Sequence, residues 1–197
     1  ASKSAGLHEF LMREKGPGYD LTSCEFTQGD VVTTIIKCAH GETIVLTLDT
    51  TLPRPYSRGF HVQGTKGIFM EDNMSLFLDG VHTPYHFDWK GQWGNVEEYR
   101  EQYDHPIWKQ YLKDGLSGGH GGIDGLVFSA FFDAVKRGVQ TPIDVYDMAS
   151  WMSITPLSEA SIAAGGAPVA IPDFTNGRWI SREPAPEGPY RLDMVCD

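Results

Sequence analysis

The sequence GGHGG at residues 118–122 is the segment of the chain best suited to chemistry. Its four glycines allow backbone conformations with positive φ and allow a ligand or another chain to come close to His120. The segment leads directly into a predicted helix, whose first N–H groups favour anions and would lower the pKa of a nearby imidazole. A neutral His120 could then hydrogen-bond a hydroxyl group or accept a proton near pH 7. The structural alternative is that the glycines only pack the helix against a sheet, while His120 bonds a backbone carbonyl.

The segment PRPYSR at residues 53–58 is the second candidate. Its two prolines stiffen the chain after a predicted hairpin and would hold Arg54 and Tyr56 in fixed directions. A phenol at a sheet edge can donate to a sugar hydroxyl and can stack its ring on the apolar face of a pyranose. The alternative is a rigid connector in which Tyr56 packs against the neighbouring strands.

Other motifs that would indicate a cofactor or a metal are weak. His82 and His86 have a metal-like i, i+4 spacing, but Pro84 lies between them and prevents a helix from aligning them. The glycine cluster is no dinucleotide fingerprint, because the sixth position counted from Gly119 is Asp124 rather than glycine. We therefore expect the chain to bind no dinucleotide and no metal on its own.

The first half of the chain has the pattern of antiparallel strands. Residues 31–38 are rich in β-branched side chains, and in residues 43–51 Ile44, Leu46 and Leu48 alternate on one face, so the two segments predict a hairpin. Shorter strands are predicted near residues 60–62, 67–71 and 74–79, each followed by a tight turn. Consecutive strands of this kind form an antiparallel meander.

Helices dominate the rest. One is predicted over residues 3–15, another begins with Pro106 as its first residue, and a third is expected to end at Gly138. A further helix begins near Asp144, and Pro156 predicts a break or kink in it.

Thr155 is a candidate cap for the second half of that helix, which would end at residues 165–166. Asp144 and Asp147 are interpreted as carboxylates of its first turn. One more strand is predicted near residues 169–171.

This segregation of strands and helices predicts an α+β fold: an open, mostly antiparallel sheet with helices on one face. The other face would need a cover. Val32 and Val45 are expected among its outward positions, so a partner subunit or a second domain is inferred.

Composition sets broader limits. The chain has 197 residues, of which 41% are hydrophobic and 21% charged, as expected for one globular domain over residues 1–197. The formal net charge of −10 disfavours nucleic acid and anionic membranes as partners. Three cysteines are too few for a disulfide framework, although one disulfide stays possible: Cys24, Cys38 and Cys196. Periplasmic or exported and cytoplasmic bacterial locations both remain open.

Four blocks of the sequence resemble the C-terminal, dihydrodipicolinate-reductase-like domain of Gfo/Idh/MocA-type oxidoreductases. They are GDVVTTIIKCAHGETIVLTLDTTLPRPYSRGFHVQGTKGIF, GGHGGIDGLVFSAFFDAVKRG, PIDVYDMASWMSITPLSEASIAAGG and IPDFTNGRW, and the resemblance covers roughly residues 1–180 in order. Within that superfamily they look most like the NAD-dependent glycosidases of glycoside hydrolase family 109, the α-N-acetylgalactosaminidase group.

The resemblance implies an enzyme of two domains, of which this chain has only the second. NAD would bind to an N-terminal Rossmann domain that this chain lacks, while the C-terminal domain shapes the sugar pocket and mediates oligomerisation. The implied hydrolysis proceeds through transient oxidation at the sugar C3, loss of the acidified C2 proton, elimination of the leaving group, addition of water and return of the hydride.

Site residues carry over only in part. Tyr56 is similar to a family tyrosine that touches the sugar, and His120 lies in a block expected to face the pocket. Arg54 and Arg58 are further candidates for binding the substrate. The resemblance names no catalytic residue in this chain.

The main hypothesis is therefore a substrate-binding and oligomerisation domain of an NAD-dependent glycosidase acting on an N-acetylhexosaminide. Its expected partners are a carbohydrate, a Rossmann domain or chain, and a second copy of the chain. Two alternatives stay open: a domain of a sugar or inositol dehydrogenase, and a glycan-binding or dimerisation module without chemistry. The isolated chain is expected to be inactive in any of these cases, because nothing in it holds the hydride carrier.

Overall fold

Most helices and strands occupy the positions that the sequence pattern indicates. A computed structural model describes residues 1–49, 51–83, 88–115 and 118–194. The helices are α1 (Gly6–Lys15), α2 (Glu97–Tyr103), α3 (Pro106–Asp114), α4 (Ile123–Arg137) and α5 (Val145–Ala163). The strands are β1 (Val31–Lys37), β2 (Thr43–Asp49), β3 (His61–Gly64), β4 (Gly67–Met70) and β5 (Ser75–Leu78). The α+β class is thereby confirmed.

The strands form two small antiparallel sheets, β1–β2 and β3–β4–β5, rather than one open sheet. Prolines 53 and 55 lie between β2 and β3, where they have no N–H to donate to a ladder. The chain divides into two compact units, residues 1–55 with 152–172 and residues 56–151 with 173–197. The first sheet belongs to the first unit and the second sheet to the second unit.

The β1–β2 hairpin has two faces of different composition. Its register pairs Val32 with Leu48, and Ile36 with Ile44, so these side chains share one face. This confirms the predicted apolar face of β2. Val45 pairs with Ile35 and points to the opposite face. The expectation that Val32 and Val45 share the outward face was wrong, because the two residues lie an odd number of positions apart in the paired register and side chains alternate along a strand.

The three-stranded sheet is completed by side chains from a neighbouring loop. The amide of Asn95, which is buried, accepts from the Leu76 N–H at 2.7 Å and donates to the Leu76 carbonyl at 2.9 Å. Ser75 is fully buried and donates to the Gln92 carbonyl at 3.1 Å. The loop therefore satisfies backbone groups of β5 as another strand would.

A buried carboxylate caps the first turn of α1. Asp30 accepts hydrogen bonds from the Ala5 and Gly6 N–H groups at 2.9 and 3.0 Å, and from the Thr51 hydroxyl at 2.9 Å. The Gly6 N–H is the main cause that lowers the pKa of Asp30, and Thr51 and Ala5 also lower it against the effect of burial. Asp30 thus takes the place of a local N-cap, since Ala5 has no side chain that could accept these bonds.

Two helix ends follow their predicted signals. Pro106 is the first residue of α3, and the His105 Nδ1 accepts from the Ile107 N–H at 3.2 Å. Gly138 ends α4 in the left-handed conformation, with φ of 64°. These two signals worked because each of them acts through residues adjacent in the sequence.

Helix α5 runs continuously through Pro156, so of the predicted break or kink the break was wrong, and so was the Thr155 cap. The ring removes the one backbone hydrogen bond that would reach the Met152 carbonyl, and the rest of the helix is left intact. Asp144 accepts from the Tyr146 and Asp147 N–H groups at 2.8 and 2.9 Å, which confirms the first-turn role.

The tail after α5 is held by ionic and aromatic contacts rather than by a strand. Arg182 forms a bidentate pair with Asp147, at 2.8 and 2.6 Å, and Arg178 donates to the Tyr146 hydroxyl at 2.9 Å while lying over its ring. The strand predicted at residues 169–171 is absent from the described structure. Prolines flank that segment on both sides, which prevents ladder bonds at its ends.

Three further observations concern single features. Cys24 and Cys38 are free thiols, and Cys196 lies outside the described residues. None of the described helices is long and apolar enough to cross a membrane. His82 accepts from the Leu78 N–H at 2.9 Å, whereas His86 lies outside the described residues.

The Asp147–Arg182 pair gives a test of the fold. The Arg182 guanidinium is the main cause that lowers the pKa of Asp147. We expect Asp147→Asn to reduce the free energy of unfolding at pH 7 by about 1 kcal/mol, because the charged pair is lost while Arg182 is partly screened by water. The lowered pKa means that this contribution is complete above the ordinary Asp pKa, near 3.9, and disappears as the pH falls through the folded-state value.

Urea denaturation at pH 7 and at about pH 2 measures both effects. The control is Asp133→Asn, which breaks an i, i+4 surface pair with Arg137 and should cost only about 0.3–0.5 kcal/mol. Equal losses in the two variants at pH 7 would contradict the role given to Asp147.

Candidate functional site

The GGHGG segment forms a turn that only glycine-rich sequence can adopt easily. Positive φ values occur at Gly118 (97°), His120 (51°), Gly121 (68°) and Gly122 (93°). A Cβ at Gly118 would lie 2.9 Å from the Gly125 backbone nitrogen, so that position must lack a side chain. The glycines therefore let the chain reverse tightly into α4.

This turn brings His120 to the carboxylate of Asp124. The His120 Nδ1 lies 2.9 Å from the Asp124 Oδ2, and the His120 side chain is 85% exposed. The structural alternative, a bond from His120 to a backbone carbonyl, is not what the structure shows. A carboxylate that accepts the Nδ1–H leaves the Nε2 of a neutral imidazole as a proton acceptor that faces outward.

The electrostatics of His120 differ from the sequence-based expectation. The hydrogen bond to Asp124 and its negative charge raise the pKa of His120, against a smaller effect of burial. The helix N-terminus was expected to lower this pKa. Asp124 reverses the direction because a full charge at hydrogen-bond distance outweighs the partial charge of a helix end.

Helix α3 also holds the turn. The Tyr111 hydroxyl donates to the Gly121 carbonyl at 3.3 Å. Sequence reasoning missed both Tyr111 and Asp124 as site residues. The i, i+4 spacing of His120 and Asp124 across the helix start was the available signal for the second, whereas nothing local indicates the first.

Residues 115–119 (GLSGG) also match the short pattern of a nucleophile elbow, which sequence reasoning overlooked. That pattern requires a strand before the turn. Here α3 precedes it, and Ser117 lies outside the described residues. The context of an elbow is therefore missing.

In the PRPYSR segment the tyrosine is exposed to solvent, and the two arginines are bound by residues outside the segment. Tyr56 is 90% exposed, so the alternative in which it packs against the strands does not hold. Arg58 forms an ion pair with Glu71, which raises the pKa of Arg58 through a hydrogen bond and charge. The Arg54 guanidinium donates to the Asp49 carbonyl at 3.0 Å and so ties the segment to the end of β2.

The four predicted residues do not all fall in one unit. Arg54 belongs to the first unit, whereas Tyr56, Arg58 and His120 belong to the second. Among the described residues, no hydrogen bond or ion pair joins His120 to Tyr56 or to Arg58.

The described residues do not fit a nicotinamide dinucleotide. Both sheets are antiparallel, and the glycine turn before α4 follows a helix instead of a parallel strand. A dinucleotide site of the Rossmann type needs a strand, a glycine turn and a helix in that order. No group of three or more metal-ligating side chains occurs in the described part of the chain either.

Comparison with known proteins identifies the family. The profile described as "Glycosyl hydrolase 109, C-terminal domain" matches residues 1–181. A "Glycosyl hydrolase family 109 protein" of Stenotrophomonas maltophilia (strain K279a) is 45% identical over 185 residues, which cover 93% of this chain and 39% of that protein. An "Alpha-N-acetylgalactosaminidase" of Tannerella forsythia is 43% identical, over 94% of this chain and 38% of that protein.

A second "Alpha-N-acetylgalactosaminidase", of Shewanella oneidensis, is 34% identical over 93% of this chain and 40% of its own length. The chain thus spans about two fifths of the length of these curated relatives and matches almost throughout. It belongs to glycosyl hydrolase family 109 and carries the C-terminal domain of that family.

Proposed function

We propose that this chain is the substrate-binding and oligomerisation part of an NAD-dependent glycosidase that cleaves α-linked N-acetylgalactosaminides. The observation that carries the proposal is the family match over residues 1–181, together with two relatives named alpha-N-acetylgalactosaminidase. In this proposal NAD binds to a Rossmann domain outside this chain, which is supported by the poor fit of the described residues to a dinucleotide, and no hydride step is assigned to residues of this chain.

Tyr56 has the exposure that a sugar ligand needs. Its phenol can donate to a hydroxyl group and its ring can cover the apolar face of a pyranose. The ion pair of Arg58 with Glu71 holds the segment that follows Tyr56 within the second unit. In this proposal Arg58 positions the tyrosine, since its guanidinium group is already engaged by a carboxylate.

His120 has the arrangement of an oriented base. Asp124 holds its Nδ1, and the outward Nε2 can accept a proton from a sugar hydroxyl. The sequence analysis expected a neutral His120 whose pKa is lowered by the helix end. Because Asp124 raises that pKa instead, His120 accepts a proton effectively only above the pH at which it loses its own.

The proposed activity is tested with 4-nitrophenyl α-N-acetylgalactosaminide. We expect the protein made from the complete gene to release 4-nitrophenol in the presence of NAD, and the isolated chain to release none. The corresponding α-galactoside, which lacks the acetamido group, serves as the control substrate. Hydrolysis by the isolated chain would overturn the proposal, and net NADH formation without release of 4-nitrophenol would favour a dehydrogenase.

The role of His120 is tested through Asp124→Asn. We expect the His120 pKa to fall towards the ordinary value, near 6.5, because the charged acceptor is removed. Proton NMR of the imidazole measures this shift in the isolated chain. A base works when deprotonated, so the acid limb of the pH–rate profile of the complete protein should move to lower pH, with a kcat decrease of roughly tenfold from lost orientation.

The control for this test is Asp133→Asn on the same helix, whose carboxylate pairs with Arg137. It should leave the His120 titration unchanged. An unchanged titration in Asp124→Asn would contradict the pairing, and a shifted titration with an unchanged acid limb would remove His120 from the reaction.

Self-association is proposed through the hairpin face that contains Ile35 and Val45, which are 71% and 59% exposed. The opposite face already has a partner within the first unit, since the Thr34 and Ser158 hydroxyls lie 2.9 Å apart. A second copy of the chain could cover the exposed face by a two-fold arrangement, in which like surfaces meet.

We expect Val45→Lys to shift the chain from dimer to monomer, because burying an unpaired ammonium group in the interface is strongly unfavourable. Sedimentation velocity at micromolar concentration measures the change. Val127→Lys is the matched control, since Val127 is also 59% exposed but lies on α4. A wild-type monomer, or equal dissociation in both variants, would reject the hairpin interface.

A further inference from the structure

A groove of about 280 Å³ lies between α3, the first turns of α4 and the tail near Tyr190. All of its walls belong to the second unit. The volume is just below the range of about 300–1,000 Å³ that is typical of pockets for drug-sized ligands. The groove is therefore suited to a ligand of one ring and its substituents.

The lining of the groove combines rings with polar groups. Tyr111 and Tyr190 supply aromatic surface, and Leu126 supplies aliphatic surface. The Gln110 amide donates to the Asp114 Oδ1 at 2.7 Å, which leaves the second Asp114 oxygen and the Gln110 carbonyl as acceptors. Rings beside planar hydrogen-bonding side chains match the apolar face and the hydroxyl edge of a pyranose.

Two hydroxyl groups of the lining are available to a ligand. Among the residues that the structure describes, Ser129 and Tyr190 have no hydrogen-bond partner for their hydroxyls. The described walls contain Asp114 and neither lysine nor arginine. A phosphate or carboxylate ligand would be repelled there, so the charge favours a neutral, hydroxyl-rich ligand.

The groove adjoins the His120 turn. Tyr111 lines the groove with its side chain and holds the turn by donating to the Gly121 carbonyl at 3.3 Å. Gly125, which forms part of the wall, directly follows Asp124 in α4. A ligand in the groove therefore lies beside the same helix turn that orients His120.

We propose that this groove binds one pyranose ring of an oligosaccharide, next to the ring that is handled at His120. The proposal rests on the proposed function for its choice of a sugar. It adds a subsite for a second sugar residue, lined by Gln110, Asp114, Ser129 and Tyr190, that would make the protein favour oligosaccharides over simple glycosides.

The test uses ¹H–¹⁵N NMR of the isolated chain titrated with the disaccharide N-acetylgalactosaminyl-α-1,3-galactose. We expect shifts at the amides of Asp114, Gly125 and Tyr190. Ser129→Phe places a ring inside the groove and should weaken binding at least tenfold. Lys136→Phe adds the same ring to α4 away from the groove and should leave binding unchanged.

Absence of shifts at the groove amides, or equal binding by Ser129→Phe and wild type, would overturn the subsite. Amide dispersion shows whether Ser129→Phe is folded; if it is not, Tyr190→Ala replaces it, with the same expected loss. Binding at the groove without any glycoside cleavage by the complete protein would refute the proposed function alone. Cleavage without binding at the groove would refute the subsite alone.

Discussion

The candidate site depends on one backbone constraint, the positive φ values between Gly118 and Gly122. Side chains at Gly118, Gly121 or Gly122 would be strained at these φ values, and a Cβ at Gly118 would also collide with the backbone of Gly125. The turn places His120 and Asp124 in contact at 2.9 Å and lets Tyr111 bond the Gly121 carbonyl. Both the oriented imidazole and the wall of the groove follow from this reversal of the chain.

Carboxylates position much of the remaining structure. Asp30 caps α1 by accepting from the N–H of Gly6, which lies 24 positions earlier in the chain. Asp147 holds the tail through Arg182, and Glu71 binds Arg58 beside Tyr56. The acidic residues of this chain therefore do more than give it a negative net charge. Its acids fix loops and helix ends, and this use also explains why Arg58 is a positioning group beside Tyr56 in the proposed function.

Apolar surface is exposed to an unusual degree. Among the described residues, the buried apolar side chains are Leu11 and Ala134, whereas Ile35 and Phe128 are 71% and 60% exposed. Large contiguous apolar surfaces on folded proteins generally mark interaction sites. Together with a chain length of about two fifths of its relatives, this exposure supports the proposal that other parts of an assembly cover these faces.

The sequence alone determined the family, through the four blocks that resemble it. It also determined the α+β class and most helices and strands, because periodicity, capping and turn residues act between neighbours. Pro106 and Gly138 marked helix ends correctly, while Pro156 did not, since a single lost hydrogen bond is outweighed by the contacts of a long helix. Only the tertiary structure decided the partner of His120, the direction of its pKa and the anchoring of Arg58 by Glu71. Those outcomes depend on which side chains the folded backbone brings within a few ångströms, and spacing along the chain does not specify that distance.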